Sequence, residues 1–272
     1  MKLFVLANGL LMCDRANLIA MPNLGTKDKP HTTSDWVESP VYAVLIEHPD
    51  GLVLFDTGCN PDAMNGRWDE ASIQRTPYIA GEKDSLVGAL RRLGYAPNDI
   101  AHVVVSHLHE DHAGCLEYFT KSEIYVSDTE LAQTMKLYAI GQPAGGYIMK
   151  DIESWLRAGL HWNLIEDNTT EYDLLPGIRI LNFGPGHTFG MMGLQVDLPN
   201  TGTIILPSDA INIAENLGPP IRYPGLAWDT RGYYNTVRRI ADLQRKTNAQ
   251  IWYSHDAEFY KTLIKSDEGY YD

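Results

Sequence analysis

The chain has 272 residues, which suits one large α/β domain or two small ones with a sizeable core. Hydrophobic residues make up 44% and charged residues 21%, an ordinary globular balance that excludes a disordered chain. The formal net charge of -13 argues against a nucleic-acid partner, because phosphate binding needs basic surface.

No apolar run is long enough to span a bilayer. The cysteines are Cys13, Cys59 and Cys115, with no CxxC pair. An odd, low count argues against a disulfide framework and fits a reducing compartment. The segment Met1 to Met12 carries a single Lys2 and is interrupted by Asn8 and Gly9, so it does not read as a signal peptide. The expectation is one domain over 1–272, located in the cytoplasm.

In chain order, Lys2–Ala7, Val41–Glu47 and Leu52–Asp56 read as strands. His48-Pro49-Asp50-Gly51 joins the last two as a hairpin turn. Residues 14–38 and 61–81 are turn-rich and read as long loops, of the kind that often carry function. Ser85–Leu93 is helix-like, with Leu86, Leu90 and Leu93 on one face and Gly94 as a stop. Ile100–Ser106 and Glu123–Val126 read as strands, and Thr129–Tyr138 and Tyr147–Ala158 as helices. Ile178–Phe183, Gly193–Asp197, Thr203–Leu206 and Gln250–Tyr253 are further strands, and Tyr233–Arg245 is a helix.

The strand Ile100–Ser106 runs into His107-Leu108-His109-Glu110-Asp111-His112, three imidazoles and two carboxylates within six residues. Buried imidazoles each need a partner, and several held together are poorly placed to be protonated at once. A divalent cation satisfies all of them, whereas a surface His-rich tract needs none. The turn can supply ligands to two metals, and a metal pair points to hydrolysis. Two bound divalent cations offset about four negative charges. The pattern of a strand followed by a polar residue recurs at His187, Asp209 and His255.

The ordered set H-x-H-x-D-H, His187, Asp209 and His255, together with Phe55-Asp56-Thr57-Gly58, resembles the metallo-β-lactamase superfamily over nearly the whole chain. The resemblance implies an α/β fold of the αββα sandwich type. It also implies that His107, His109 and His187 hold one metal, that Asp111, His112 and His255 hold a second, and that Asp209 bridges them. Five imidazoles and two carboxylates without a thiolate suit zinc, with iron, manganese or cobalt as alternatives. Asp56 is expected either to orient a ligand His or simply to cap its turn. His31, His48, His102 and His161 are read as surface or loop residues.

Within the superfamily, Leu10 to Arg15, Pro40 to His48, Leu54 to Gly58 and Tyr253 to Asp256 resemble the N-acyl-homoserine lactonases. That resemblance implies a lactone-opening carboxylic ester hydrolase acting in degradation of quorum-sensing signals. A metal-activated hydroxide would attack the ester carbonyl, and Asp111 would pass the proton to the leaving alkoxide. Another lactone or ester, as in a pyridoxolactonase-like enzyme, and a phosphodiester are the alternative substrates. A non-enzymatic member of the fold should have lost a ligand, and all seven are present.

Two positions depart from the lactonase pattern. The lactonases typically place a Tyr three residues after the bridging Asp, where this chain has Asn212, which can donate a hydrogen bond but not deliver a proton. Glu110 stands where those enzymes have Phe or Leu, either as a carboxylate at the pocket mouth or as a solvated loop charge. Met21, Trp36, Met64, Trp68 and Tyr223 lie in the long loops as candidates for an acyl pocket or for core. A small-molecule lactone is the expected partner, with no nucleic acid or membrane and with a homodimer allowed.

Overall fold

The structure, a computed structural model, describes residues 1–142 and 145–272. Seven strands form one sheet: β1 (Lys2–Asp14), β2 (Trp36–His48), β3 (Gly51–Phe55), β4 (Tyr78–Ile79), β5 (Ile100–Val104), β6 (Glu123–Ser127) and β7 (His161–Ile165). Their order is β4-β1-β2-β3-β5-β6-β7, antiparallel from β4 to β3 and parallel from β3 to β7. Five more strands form the second: β8 (Glu171–Leu175), β9 (Ile178–Gly184), β10 (Met191–Leu198), β11 (Gly202–Leu206) and β12 (Gln250–Ile251), in the order β12-β11-β10-β9-β8.

Alternation along the strands builds the layers. Leu3 and Val5 of β1, and Val44 and Ile46 of β2, face inward and meet Ile180 of β9 and Met192, Leu194 and Val196 of β10. The neighbours Phe4, Leu6, Ala43 and Leu45 point to the opposite face. There they pack with Leu86, Ala89 and Leu90 of the helix Leu86–Arg92 and Trp155 of the helix Met149–Ala158. On the outer face of the second sheet, Leu181 and Ile205 meet Tyr233, Val237 and Ile240 of the helix Thr230–Thr247. Those three share one helical stripe. Helices therefore cover both outer faces of two sheets that share an inner core, which is the expected αββα sandwich.

Both predicted loops are partly ordered. Residues 14–38 contain the end of β1, the short helix Arg15–Leu18 and the start of β2, while 61–81 contain the helix Glu70–Arg75 and β4. Strands β7 and β8 have no counterpart in the sequence reading. Both are edge strands and half-exposed along most of their length, so they lack the apolar alternation that marks a strand. Among the described residues, no helix is long and apolar enough to cross a membrane.

Strand direction sets the position of the site. β3 and β5 are parallel, and β9 and β11 both run antiparallel to β10. The C-terminal ends of β5, β9, β11 and β12 release the segments carrying His107 to His112, His187, Asp209 and His255. The backbone N–H of Met192 donates to Ser106 O at 2.8 Å and ties the two sheets together at this edge.

Candidate metal centre

The structure brings all seven residues together. Three groups have ligand atoms within 4.8 Å of one another: His107, His109 and His187; His107, His112 and Asp209; and Asp111, His112 and His255. Asp209 lies between them. Its Oδ2 is 3.3 Å from His187 Nε2, while its Oδ1 is 3.2 Å from His112 Nε2 and 3.1 Å from His255 Nε2. Asp111 Oδ2 is 3.5 Å from His112 Nε2 and 3.4 Å from His255 Nε2.

The rings are turned by what holds their outer nitrogens. His112 Nδ1 is 2.8 Å from Asp56 Oδ2, His107 Nδ1 is 3.0 Å from Ser106 Oγ, His187 Nδ1 is 3.0 Å from Leu226 O, and His255 Nδ1 is 3.1 Å from Pro40 O. Carbonyl and carboxylate partners make Nδ1 a protonated nitrogen of His112, His187 and His255, which leaves Nε2 as the ring atom facing the centre. His109 instead presents Nδ1, 3.2 Å from His187 Nε2.

Asp56 both caps and orients. Its Oδ1 accepts from Ser106 N at 2.7 Å, and its Oδ2 accepts from Ser106 Oγ at 2.9 Å and meets His112. The residue holds φ 58°, a conformation unfavourable for a side chain other than glycine, and these bonds account for its persistence there. Ser208, at φ 50°, adds a bond to Ser106 Oγ at 2.8 Å. A lone serine at a strand end carries no signal of its own in the sequence, so the roles of Ser106 and Ser208 emerge only in the fold.

Electrostatics divide the cluster. Burial, with neighbouring imidazoles adding to it, holds His107 and His109 well below the usual imidazole range, and burial also lowers His187. Burial works against charge on His112 and His255 too, but Asp111 and Asp209 beside both outweigh it and raise them. Asp209 is held well below the carboxylate range, since His255 and His112 overcome the effect of its burial.

A metal pair fits these residues. His107 Nε2, His112 Nε2 and Asp209 Oδ1 are buried and have no hydrogen-bond partner among the described residues. Orphaned buried polar atoms cost about 1–3 kcal/mol each, and these point at one another, as ligands of shared cations do.

The cleft beside the cluster is lined by Leu11, Leu18, Arg75, Glu110, Asn212 and Leu226 among others. Asn212 is buried, and its Oδ1 has no hydrogen-bond partner among the described residues. Glu110 is not a solvated loop charge: it is 5% exposed and lies 3.4 Å from the Arg75 guanidinium. Burial and the nearby Asp111 push the Glu110 carboxyl up to about 8. None of the five loop residues considered for an acyl pocket lines this cleft. Trp68 is buried in a core cluster against which Met64 packs, while Met21, Trp36 and Tyr223 are exposed. His102 is half-buried in β5 beside the Tyr125 ring rather than in a loop.

A profile described as the metallo-beta-lactamase superfamily matches residues 36–250. The chain is 42% identical over 273 residues to the N-acyl homoserine lactonase AiiB of Agrobacterium fabrum, covering 100% of this chain and 99% of that one. It is 27% identical to the N-acyl homoserine lactonase AiiA of Bacillus thuringiensis subsp. kurstaki, covering 96% and 95%. Among solved structures, an N-acyl homoserine lactone hydrolase with N-hexanoyl-L-homoserine bound at its catalytic metal centre superposes with a TM-score of 0.82. That pair is 26% identical, with 98% of each chain covered.

Proposed function

The chain belongs to the metallo-β-lactamase superfamily, and from that membership we propose that it is a dinuclear metal-dependent lactonase that opens the ring of N-acyl homoserine lactones. The observation that carries this reading is the convergence of five imidazoles and two carboxylates on one buried centre, with their ligand atoms close together. The full-length likeness to named lactonases supplies the substrate.

His107, His109 and His187 would hold one ion and Asp111, His112 and His255 the other, with Asp209 spanning both. We take the ions to be zinc, since nitrogen and carboxylate donors without a thiolate suit it; measuring the metal content of the purified protein tests this against iron, manganese and cobalt. When bound, such a pair polarises the ester carbonyl and makes water acidic enough to attack it near neutral pH.

The chain's own groups do the rest. Asp111 faces His112 and His255 across 3.4–3.5 Å, where its carboxylate can take the proton of the attacking water and return it to the ring oxygen as the ester bond breaks. Asn212, buried with no partner for its Oδ1 among the described residues, is placed to hydrogen-bond the substrate but has no proton to deliver. Leu11, Leu18 and Leu226 give the cleft an apolar wall for an acyl chain. The polar edge is the Arg75–Glu110 pair.

We read residues 1–272 as one domain, since the two sheets share a core cluster. Three buried free thiols support a reducing, cytoplasmic setting. The test is a panel of lactones with acyl chains of varied length, set against a phosphodiester and a polar-ring lactone. Rates that rise with the acyl homoserine lactones support the reading. Flat, chain-independent rates, or a faster phosphodiester, contradict it.

A further inference from the structure

Glu130 lies outside the ligand set yet joins two parts of it. It sits in the first turn of the helix Asp128–Ala139 and is wholly buried. Its Oε1 accepts from Leu108 N at 3.0 Å and from the Tyr147 hydroxyl at 2.8 Å, and its Oε2 accepts from Gly190 N at 3.0 Å. Leu108 stands between His107 and His109, and Gly190 follows His187 by three residues. The Tyr147 ring lies edge-on to His109, with centroids 4.7 Å apart.

Segments distant in the chain thus meet on one carboxylate. Burial pushes the Glu130 carboxyl up, while the donors converging on its two oxygens and its place in the first turn of a helix act to keep it an acceptor on both. Gly190 fits this contact closely. A Cβ there would strike the Ser127 side chain and come within 3.0 Å of Glu130 N, so the loop after His187 can lie on the helix start only as glycine. The Asp111, His112 and His255 group has other supports, Asp56 behind His112 and Pro40 O behind His255.

We propose that Glu130 is a positioning residue that fixes the His107–His109 turn against the His187 loop, and so shapes the metal position formed by those three imidazoles while leaving the other untouched. The proposal rests on the two-metal reading above. A glutamine in its place keeps the shape but turns one acceptor into a donor facing an N–H or hydroxyl.

The test is cobalt titration of metal-free wild-type, Glu130→Gln and Tyr147→Phe proteins, followed by the visible absorption of the bound ion. Thermal unfolding of the metal-free proteins monitors the fold, and His187→Ala identifies which equivalent belongs to the three-imidazole position. Glu130→Gln is expected to weaken that equivalent by about 10- to 100-fold and to change its spectrum, with the other equivalent held within about threefold. Tyr147→Phe keeps the carboxylate and both backbone donors and weakens the same equivalent by less. Should Glu130→Gln fail to fold, the selectivity of Tyr147→Phe decides alone. Unchanged binding in the variants, or equal weakening of both equivalents, overturns the proposal. Wild-type protein that takes up no cobalt overturns the two-metal reading itself, and this inference with it.

Discussion

Arg67, Glu117, Asp151 and Ser154 form one polar cluster, half-buried except for the buried Asp151, and the five histidines with Asp111 and Asp209 form another. In the first, every guanidinium nitrogen has a partner: Nε donates to Asp151 at 2.6 Å, Nη1 to Glu117 at 3.0 Å, and Nη2 to Ser154 at 2.6 Å. Burial still pushes the Asp151 carboxyl up to about 7, but the chain supplies its own cation. In the second, no arginine or lysine makes an ion pair with Asp111 or Asp209 among the described residues, and lone-pair atoms face one another without partners. Asp151 Oδ2 lacks a hydrogen-bond partner among the described residues, yet Arg67 meets its charge from within the chain, so that cluster is structural. The second draws no cation from an arginine or lysine of the described residues, which marks it as a site for cations from outside.

Substitutions separate the two. Asp209→Ala should have the largest effect: bound metal is lost, and kcat/KM falls by about 10³-fold or more, because several kcal/mol of charge stabilisation leaves with the ions. Two metals retained per chain would show that Asp209 does not span the pair. Arg67→Ala should cost about 3 kcal/mol of stability by stranding two carboxylates, with turnover per folded molecule unchanged. Chemical denaturation beside an activity assay reads both, and a kinetic defect without a stability loss would join the clusters that this account separates. Asp56→Asn should weaken the metal position that includes His112 by about 10- to 100-fold, measured by competition with a chelator. Asn212→Ala should lower kcat/KM by about tenfold with metal content intact, as expected for one hydrogen bond to substrate. Metal loss in that variant would place Asn212 among the supports rather than at the substrate.

How legible each part was follows from how local its signal is. The turn from His107 to His112 announces itself because its side chains are neighbours in the chain as well as in space. His187, Asp209 and His255 carry little alone and became readable through their order and the strand before each. The sandwich itself came from the family resemblance; its strands were legible where they bury both faces, as β1 and β2 do, and were lost at the polar edges β7 and β8. Glu130 could not have been found: an acid in the first turn of a helix reads as a capping or dipole residue, and its reach to Leu108 and Gly190 exists only in the fold. Glu110 stood out in the sequence as a departure, but its partner Arg75, 35 residues away, gave no sign.

The most direct test is to measure metal content and hydrolysis of an N-acyl homoserine lactone before chelation, after it, and after refilling with zinc. Two metals per chain at the start, no turnover in the metal-free protein, and recovery as two equivalents return are the expected results. Unchanged turnover in protein shown to be free of metal would contradict the two-metal reading.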